Sequence, residues 1–322
     1  MIAFLFPGQG SQQVGMGRAL ADAFPEARAT FAEADVAFGA GSGSADQVSP
    51  ASLTNLCFEG PEDQLRLTEY TQPAILTVSI AAARVLTSRG IQPDFVAGHS
   101  LGEYSANVAA GTFSFTDAVT VVRRRGRYMQ EAVPVGQGAM VAILGLDVAS
   151  VRLACDDAAQ GEVVAPANIN SHDQVVIAGA AAAVERAGVL AKERGARRVM
   201  PLPVSAPFHC ALMKPAEERL APELRGVAIR DPRIPVVANV DAQPKRDGGE
   251  AIDALVRQVS SPVRWEEIVQ RLASEGVTTY VEVGVGSVLS GLVRKTQKDA
   301  KVLAFGSPED LSAVEQALGS PT

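Results

Sequence analysis

The stretch Gly98-His99-Ser100-Leu101-Gly102 reads G-x-S-x-G, and it makes Ser100 a candidate nucleophile. Small residues on both sides let the chain turn sharply. Such a turn lifts Oγ clear of the backbone and aims the following N–H at a reacting carbonyl. The bland alternative is a glycine-rich turn with a capping serine. A serine nucleophile needs a base, and the chain has three histidines. His99 lies beside Ser100, where its ring leaves the turn on the side away from Oγ and lines or packs the pocket wall. His172 lies in Asn170-Ser171-His172-Asp173, a surface-loop composition. His209 lies in an irregular segment after Pro207 and follows the serine in chain order, as in hydrolases built this way. By elimination His209 is the base if Ser100 is a nucleophile.

A charged group accompanies these two. Phe115 to Ala132 reads as a helix. With Ala118 at zero and ~100° per residue, Val122, Met129 and Ala132 fall within about 40° of it, and Arg125 at about −20°. Arg123, Arg127 and Arg124 fall at about 140°, 180° and 240°, on the wet side. A guanidinium on the apolar stripe needs an anionic partner. Two partners fit: an internal Asp or Glu, or a carboxylate on a ligand.

The surrounding pattern says what positions these groups. Asp94 to Ala97 is a short apolar run of strand type, and Glu103 to Gly111 is helix-like with a glycine stop. Strand, sharp turn, helix is the setting of a nucleophile elbow. Ile2 to Phe6 reads as another buried strand. The glycine loop Pro7-Gly8-Gln9-Gly10-Ser11-Gln12 follows, then a helical stretch to about Phe24. This loop lacks the spacing of a nucleotide fingerprint; its glycines suit close backbone approach to a ligand. Residues 40–53 read as a surface loop, and Thr71 to Ser88 as a helix. From 138 to 204 the order becomes β-α-β-β-α-β: strands at 139–144, 163–168, 174–178 and 197–204, helices at 148–159 and 180–194. That is a ferredoxin-like unit. Strands at 234–240 and 279–283 and helices at 251–259 and 265–275 follow, with a last long helix ending near Lys298. Strands alternating with helices imply a mostly parallel sheet. The fold class is therefore α/β: a large domain of residues 1–134 and 205–322, interrupted by a ferredoxin-like small domain, 135–204.

Composition sets bounds on function. The chain has 322 residues, 47% hydrophobic and 20% charged, with a net charge of −7. That leaves ample core and gives no overall basic field for nucleic acid. No apolar run reaches the ~18–20 residues a membrane span needs. The first residues open on a strand, with no charged leader and cleavage site. Cys57, Cys155 and Cys210 are far apart and odd in number, without zinc spacing. They point to a reducing compartment, and cytoplasm is the expectation.

Several motifs in fixed order resemble the malonyl-CoA:acyl carrier protein transacylases. They are Pro7 to Gln12, Gly98 to Glu103, Arg125-Gly126, Met129 to Pro134, Pro203 to Ala216 around His209, and Glu282-Val283-Gly284. The resemblance runs from Ile2 to about Gln297. It implies a hydrolase-like large domain with a ferredoxin-like insert. It further implies that Ser100 is the nucleophile, that His209 is the base, and that the Gln258 backbone carbonyl orients the histidine. The N–H groups of Gln9 and Leu101 would form the oxyanion hole, and Arg125 would pair with the malonyl carboxylate. The substrates would be malonyl-CoA and the phosphopantetheine thiol of an acyl carrier protein, with no metal or redox cofactor, and the chain would be a monomer. Phe208 stands where the stand-alone bacterial enzymes often have Ser, and Val285-Gly286-Ser287 replaces a Pro-Gly-Lys version of that turn. In related polyketide domains, Phe before the histidine and Leu after the serine accompany malonyl selection, so Phe208 and Leu101 both lean that way.

Carrier proteins are acidic, and so is this chain, so docking needs a local basic patch. Lys192, Arg194, Arg197 and Arg198 cluster at the end of the small domain; the alternative is a solvated helix end favoured by the dipole. Two rival functions remain. A serine esterase would use an acidic triad member and an apolar acyl pocket, against which the inward Arg125 argues. A non-catalytic docking module would not need Ser100, His209 and Arg125 together.

Overall fold

The computed structural model describes all residues except 41–49, 205 and 319–322; the loop expected at 40–53 lies mostly outside the described residues, as does the domain junction at 205. The strands, in chain order, are β1 (Ile2–Phe6), β2 (Phe95–Gly98), β3 (Gly138–Leu144), β4 (Val164–Ser171), β5 (Gln174–Ala180), β6 (Arg198–Pro201), β7 (Val236–Val237), β8 (Pro244–Lys245), β9 (Thr279–Val283) and β10 (Lys301–Phe305).

Six of them form one sheet in the order β10-β9-β1-β2-β7-β8, parallel except for β8. β1 and β2 are buried along nearly their whole length, as central parallel strands must be when helices cover both faces. The pleat sends Phe4 and Phe6 into one core and Ala3 and Leu5 into the other. The register pairs Phe6 with Gly98. The loop after β1 and the turn after β2 therefore open side by side at the carboxyl edge of the sheet, where α/β folds bind ligands.

The second sheet has the order β4-β5-β3-β6, all antiparallel. Helices Val148–Ala159 and Ala181–Glu193 share a separate core with it, through Val151, Ala154, Val184 and Ala187 against Ile143, Val175 and Ile177. That is the expected ferredoxin-like unit. It is tied to the large sheet's side, because Ile169 N–H donates to the Val263 carbonyl at 2.9 Å and Val263 N–H to the Ala167 carbonyl at 2.8 Å.

Several expectations need correcting. The helix before Phe24 is only Arg18–Ala23, entered through turns. The strand expected at 234–240 pairs over two residues, and the one at 197–204 over four. The helix expected to be last is Val288–Thr296; β10 and a helix at Leu311–Leu318 follow it. Arg123, assigned to the wet face, is buried. Its Nε donates to Glu69 Oε1 at 3.0 Å and its guanidinium lies 4.3 Å from the Phe38 ring centre. Helix Phe115–Glu131 packs against both Thr68–Ser88 and Pro25–Ala40, so its covered face is wider than one apolar stripe.

Candidate active site

The turn after β2 is a built elbow. Ser100 has φ 53° and ψ −105°, a region that costs about 1–3 kcal/mol and persists only when neighbours enforce it. The neighbours are close. A Cβ on Gly98 would come within 1.9 Å of the Gly102 carbonyl carbon, and one on Gly102 within 2.0 Å of the Phe6 carbonyl oxygen. Only glycine fits either position. Ser100 N–H donates to Asn239 Oδ1 at 2.8 Å, and Asn239 Nδ2 returns a bond to the Gly98 carbonyl at 2.7 Å. Asn239, just beyond β7, thus splints the turn from the neighbouring strand. Helix Leu101–Ala110 starts at once, so the Leu101 N–H belongs to the unpaired first turn.

His209 meets the serine. It sits at φ 60°, buried, just ahead of the short helical turn Ala211–Met213. Its Nε2 lies 2.6 Å from Ser100 Oγ, and its Nδ1 lies 3.0 Å from the Gln258 backbone carbonyl. A carbonyl can only accept, so Nδ1 carries the proton and Nε2 is the free base facing the hydroxyl. Burial first, and the Arg125 charge second, push the His209 pKa down to about 3. The imidazole is therefore neutral across the ordinary pH range.

Arg125 lies inward, as its helical phase predicts, and is 1% exposed. Its partners are neutral. NH1 donates to Gln72 Oε1 at 2.7 Å; NH2 donates to Gln258 Oε1 at 2.8 Å and to Ser100 Oγ at 3.1 Å. The guanidinium stands 5.1 Å from the Tyr104 ring centre, and Nε has no partner among the described residues. Its helix neighbours Arg123, Arg124 and Arg127 pair with Glu69, Glu223 and Glu131; among the described residues Arg125 pairs with no carboxylate. The internal salt bridge that was one of its two readings is not there.

Other sequence candidates fall as follows. His99 Nε2 meets Asn170 Oδ1 at 2.9 Å and the ring leans on Trp265, so it joins the elbow to the small domain; burial lowers its pKa. His172 is exposed in a turn. Phe208 is buried beside the histidine. Gln9 is exposed on the loop after β1, its side chain donating to Thr68 Oγ1 at 2.9 Å. A Cβ on Gly8 would meet the His99 carbonyl at 2.5 Å, so that loop presses directly on the elbow. Cys210 is no rival nucleophile, since burial pushes its thiol up to about 11. All four residues of the basic patch are exposed, but Arg194 pairs with Asp157 and Arg197 with Asp173.

Sequence reasoning missed Gln72, Glu103 and Asn239 as site components. A signal existed for one of them. Asn239 interrupts Val236-Val237-Ala238-Asn239-Val240; a polar side chain in such a run is buried and must be bonded.

An acyl transferase domain model matches residues 3–312. The malonyl CoA-acyl carrier protein transacylase of Bacillus subtilis is 48% identical over 318 residues, covering 98% of this chain and 97% of the relative. The crystal structure of an acyl carrier protein S-malonyltransferase from Vibrio cholerae has 48% identity and a TM-score of 0.92, over 97% of this chain and 99% of that one. A malonyl-transacylase solved in complex with a type II PKS acyl-carrier protein has 45% identity and a TM-score of 0.93, over 98% and 99%. At such identities over nearly the full length, the chain belongs to the acyl transferase family, among its malonyl CoA-acyl carrier protein transacylases.

Proposed function

We propose that this chain moves a malonyl group from malonyl-CoA to the phosphopantetheine thiol of an acyl carrier protein, through a malonyl-serine ester. The observation that carries this reading is Arg125: a buried guanidinium within hydrogen-bond reach of the nucleophile, with no carboxylate in direct contact among the described residues. A carboxylate on the acyl group supplies the missing anion and positions the thioester over Ser100.

His209 Nε2 takes the Ser100 proton as Oγ attacks the thioester carbon. The oxyanion lies toward the backbone N–H groups of Leu101 and Gln9, one from the first turn of a helix and one from a loop pressed on the elbow. The carbon–sulfur bond breaks, CoA sulfur takes the proton from His209, and the malonyl ester of Ser100 remains. The carrier thiol then gives its proton to His209 and attacks the ester, and Ser100 Oγ recovers a proton as it leaves. No metal or redox group enters this scheme. Among the described residues no helix is long and apolar enough to cross a membrane; the cytoplasm, where CoA thioesters and reduced cysteines coexist, is the compartment we assign.

The test is intact-protein mass spectrometry after mixing with malonyl-CoA. One malonyl adduct should appear on Ser100, be absent in Ser100→Ala, and leave on addition of holo carrier protein but not the apo form. Rapid release of free malonate without carrier protein would favour an esterase and overturn the reading.

A further inference from the structure

Glu103 is a buried acid that this mechanism does not use. It is 1% exposed, three residues past Ser100 on the elbow helix. A single oxygen, Oε2, accepts two bonds: from the Asn239 backbone N–H at 3.0 Å and from Gln258 Nε2 at 2.8 Å. Both donors belong to the site. Asn239 holds the Ser100 N–H. Gln258 Nε2 also donates to the Ser100 carbonyl at 2.8 Å, while Gln258 Oε1 accepts from Arg125 NH2 at 2.8 Å.

The two ends of a glutamine amide have nearly the same shape and opposite hydrogen-bonding character. Its terminal torsion is soft, so packing alone selects neither orientation. Here Nε2 faces the Glu103 and Ser100 oxygens and, at 3.4 Å, Asn239 Oδ1, all of which accept, and that leaves Oε1 toward the guanidinium. Turned over, Oε1 would face those oxygens and the amide N–H groups would face the N–H groups of Arg125. We propose that Glu103 is a positioning residue: by fixing the Gln258 amide it fixes the Arg125 fork beside Ser100, and so sets the preference for acyl groups that carry a carboxylate. This rests on the malonyl reading above. It requires an acceptor oxygen at 103, not a full charge. Burial pushes the Glu103 carboxyl up to about 7, and one oxygen still accepts when the other is protonated. A neutral amide can therefore stand in.

The experiment measures kcat/KM for acylation of Ser100 by malonyl-CoA and by acetyl-CoA, with thermal melts alongside, in wild type, Glu103→Met, Glu103→Gln and Gln258→Met. Acetyl has no carboxylate, so a loosened Arg125 fork should cost it little. Glu103→Met should lower the malonyl-to-acetyl ratio by about tenfold, the effect of one hydrogen bond to a charged group, and Glu103→Gln should recover most of it. A wild-type ratio in Glu103→Met overturns the proposal, and so does an equal fall in Glu103→Gln. If Glu103→Met does not fold, Gln258→Met breaks the same link and keeps the backbone carbonyl that holds His209; an unchanged ratio there is equally decisive. A wild-type enzyme that takes no malonyl would instead overturn the functional reading.

Discussion

Arg125 NH2 donates to Ser100 Oγ across 3.1 Å, so the residue that would read the acyl group touches the residue that would carry it. The same hydroxyl stands 2.6 Å from His209 Nε2. In the proposed reaction, acid recognition and nucleophilic attack therefore share one oxygen. Removing Arg125 should separate them. Arg125→Ala loses a charged hydrogen-bond partner, at a cost of about 1.5–3 kcal/mol, or about 10- to 150-fold in kcat/KM for malonyl transfer. Lysine should recover little, because it cannot supply the planar fork. Acetyl transfer should hold or rise, since the cation that depresses His209 basicity is gone. The check is the malonyl-to-acetyl ratio of kcat/KM; a ratio unmoved by the substitution would place selection elsewhere.

His209→Ala should slow acylation by about 10²–10⁴ while leaving malonyl-CoA affinity nearly intact, because a general base acts on the transition state rather than on binding. Single-turnover mass spectrometry and a binding titration measure the two quantities separately. An acylation rate within about threefold of wild type would remove His209 from the chemistry, given that general bases contribute far more than that. His99→Ala should keep the chemistry better, although it breaks the contact with Asn170.

What could be read in the chain beforehand has a physical pattern. The elbow was legible because its glycines, its strand and its helix are contiguous. Arg125 was legible from one helix's periodicity. His209 was reached by elimination and by the resemblance, since an irregular segment at φ 60° has no period to read. The pairings of the amide network were not legible. Gln258 reaches Ser100 across 158 positions, and Asn239 across 139, through contacts that only the tertiary fold creates. Arg123 was misplaced for a related reason: helical phase reports one buried stripe, and a helix wedged between two others has more. β10 went unread, although Val302-Leu303-Ala304 is an apolar run of strand length beside Phe305.

The basic patch on the small domain gives a partner prediction. Arg197 and Arg198 are exposed at the start of β6, and Arg197 is partly engaged by Asp173 at 2.9 Å. Reversing both to Glu should raise KM for carrier protein, more so at low salt where surface charges are least screened. The malonyl-CoA half-reaction should be spared. If both half-reactions change equally, the patch is an ordinary solvated helix end and the carrier docks elsewhere.

The buried histidine also fixes how the protein responds to acid. His209 is pushed from 6.5 down to about 3, by burial first and by the Arg125 charge second. The base stays unprotonated in the free enzyme, so kcat/KM for acylation should remain level as pH falls through 6.5. Stability should not stay level on this account. Below 6.5 the unfolded chain protonates this histidine and the folded one does not, so its contribution is complete above 6.5 and drains away toward about 3. Glu103 runs the other way: raised from 4.5 to about 7, it binds a proton in the folded state first, and favours folding as pH falls through that window. The two slopes oppose each other between 6.5 and 4.5, and only the histidine's remains below. A His209→Gln variant lacks that slope. The melting temperature of wild type relative to this variant should therefore fall steadily as pH is lowered from 6.5, and a difference that does not move with pH would show that the histidine is not held neutral in the fold.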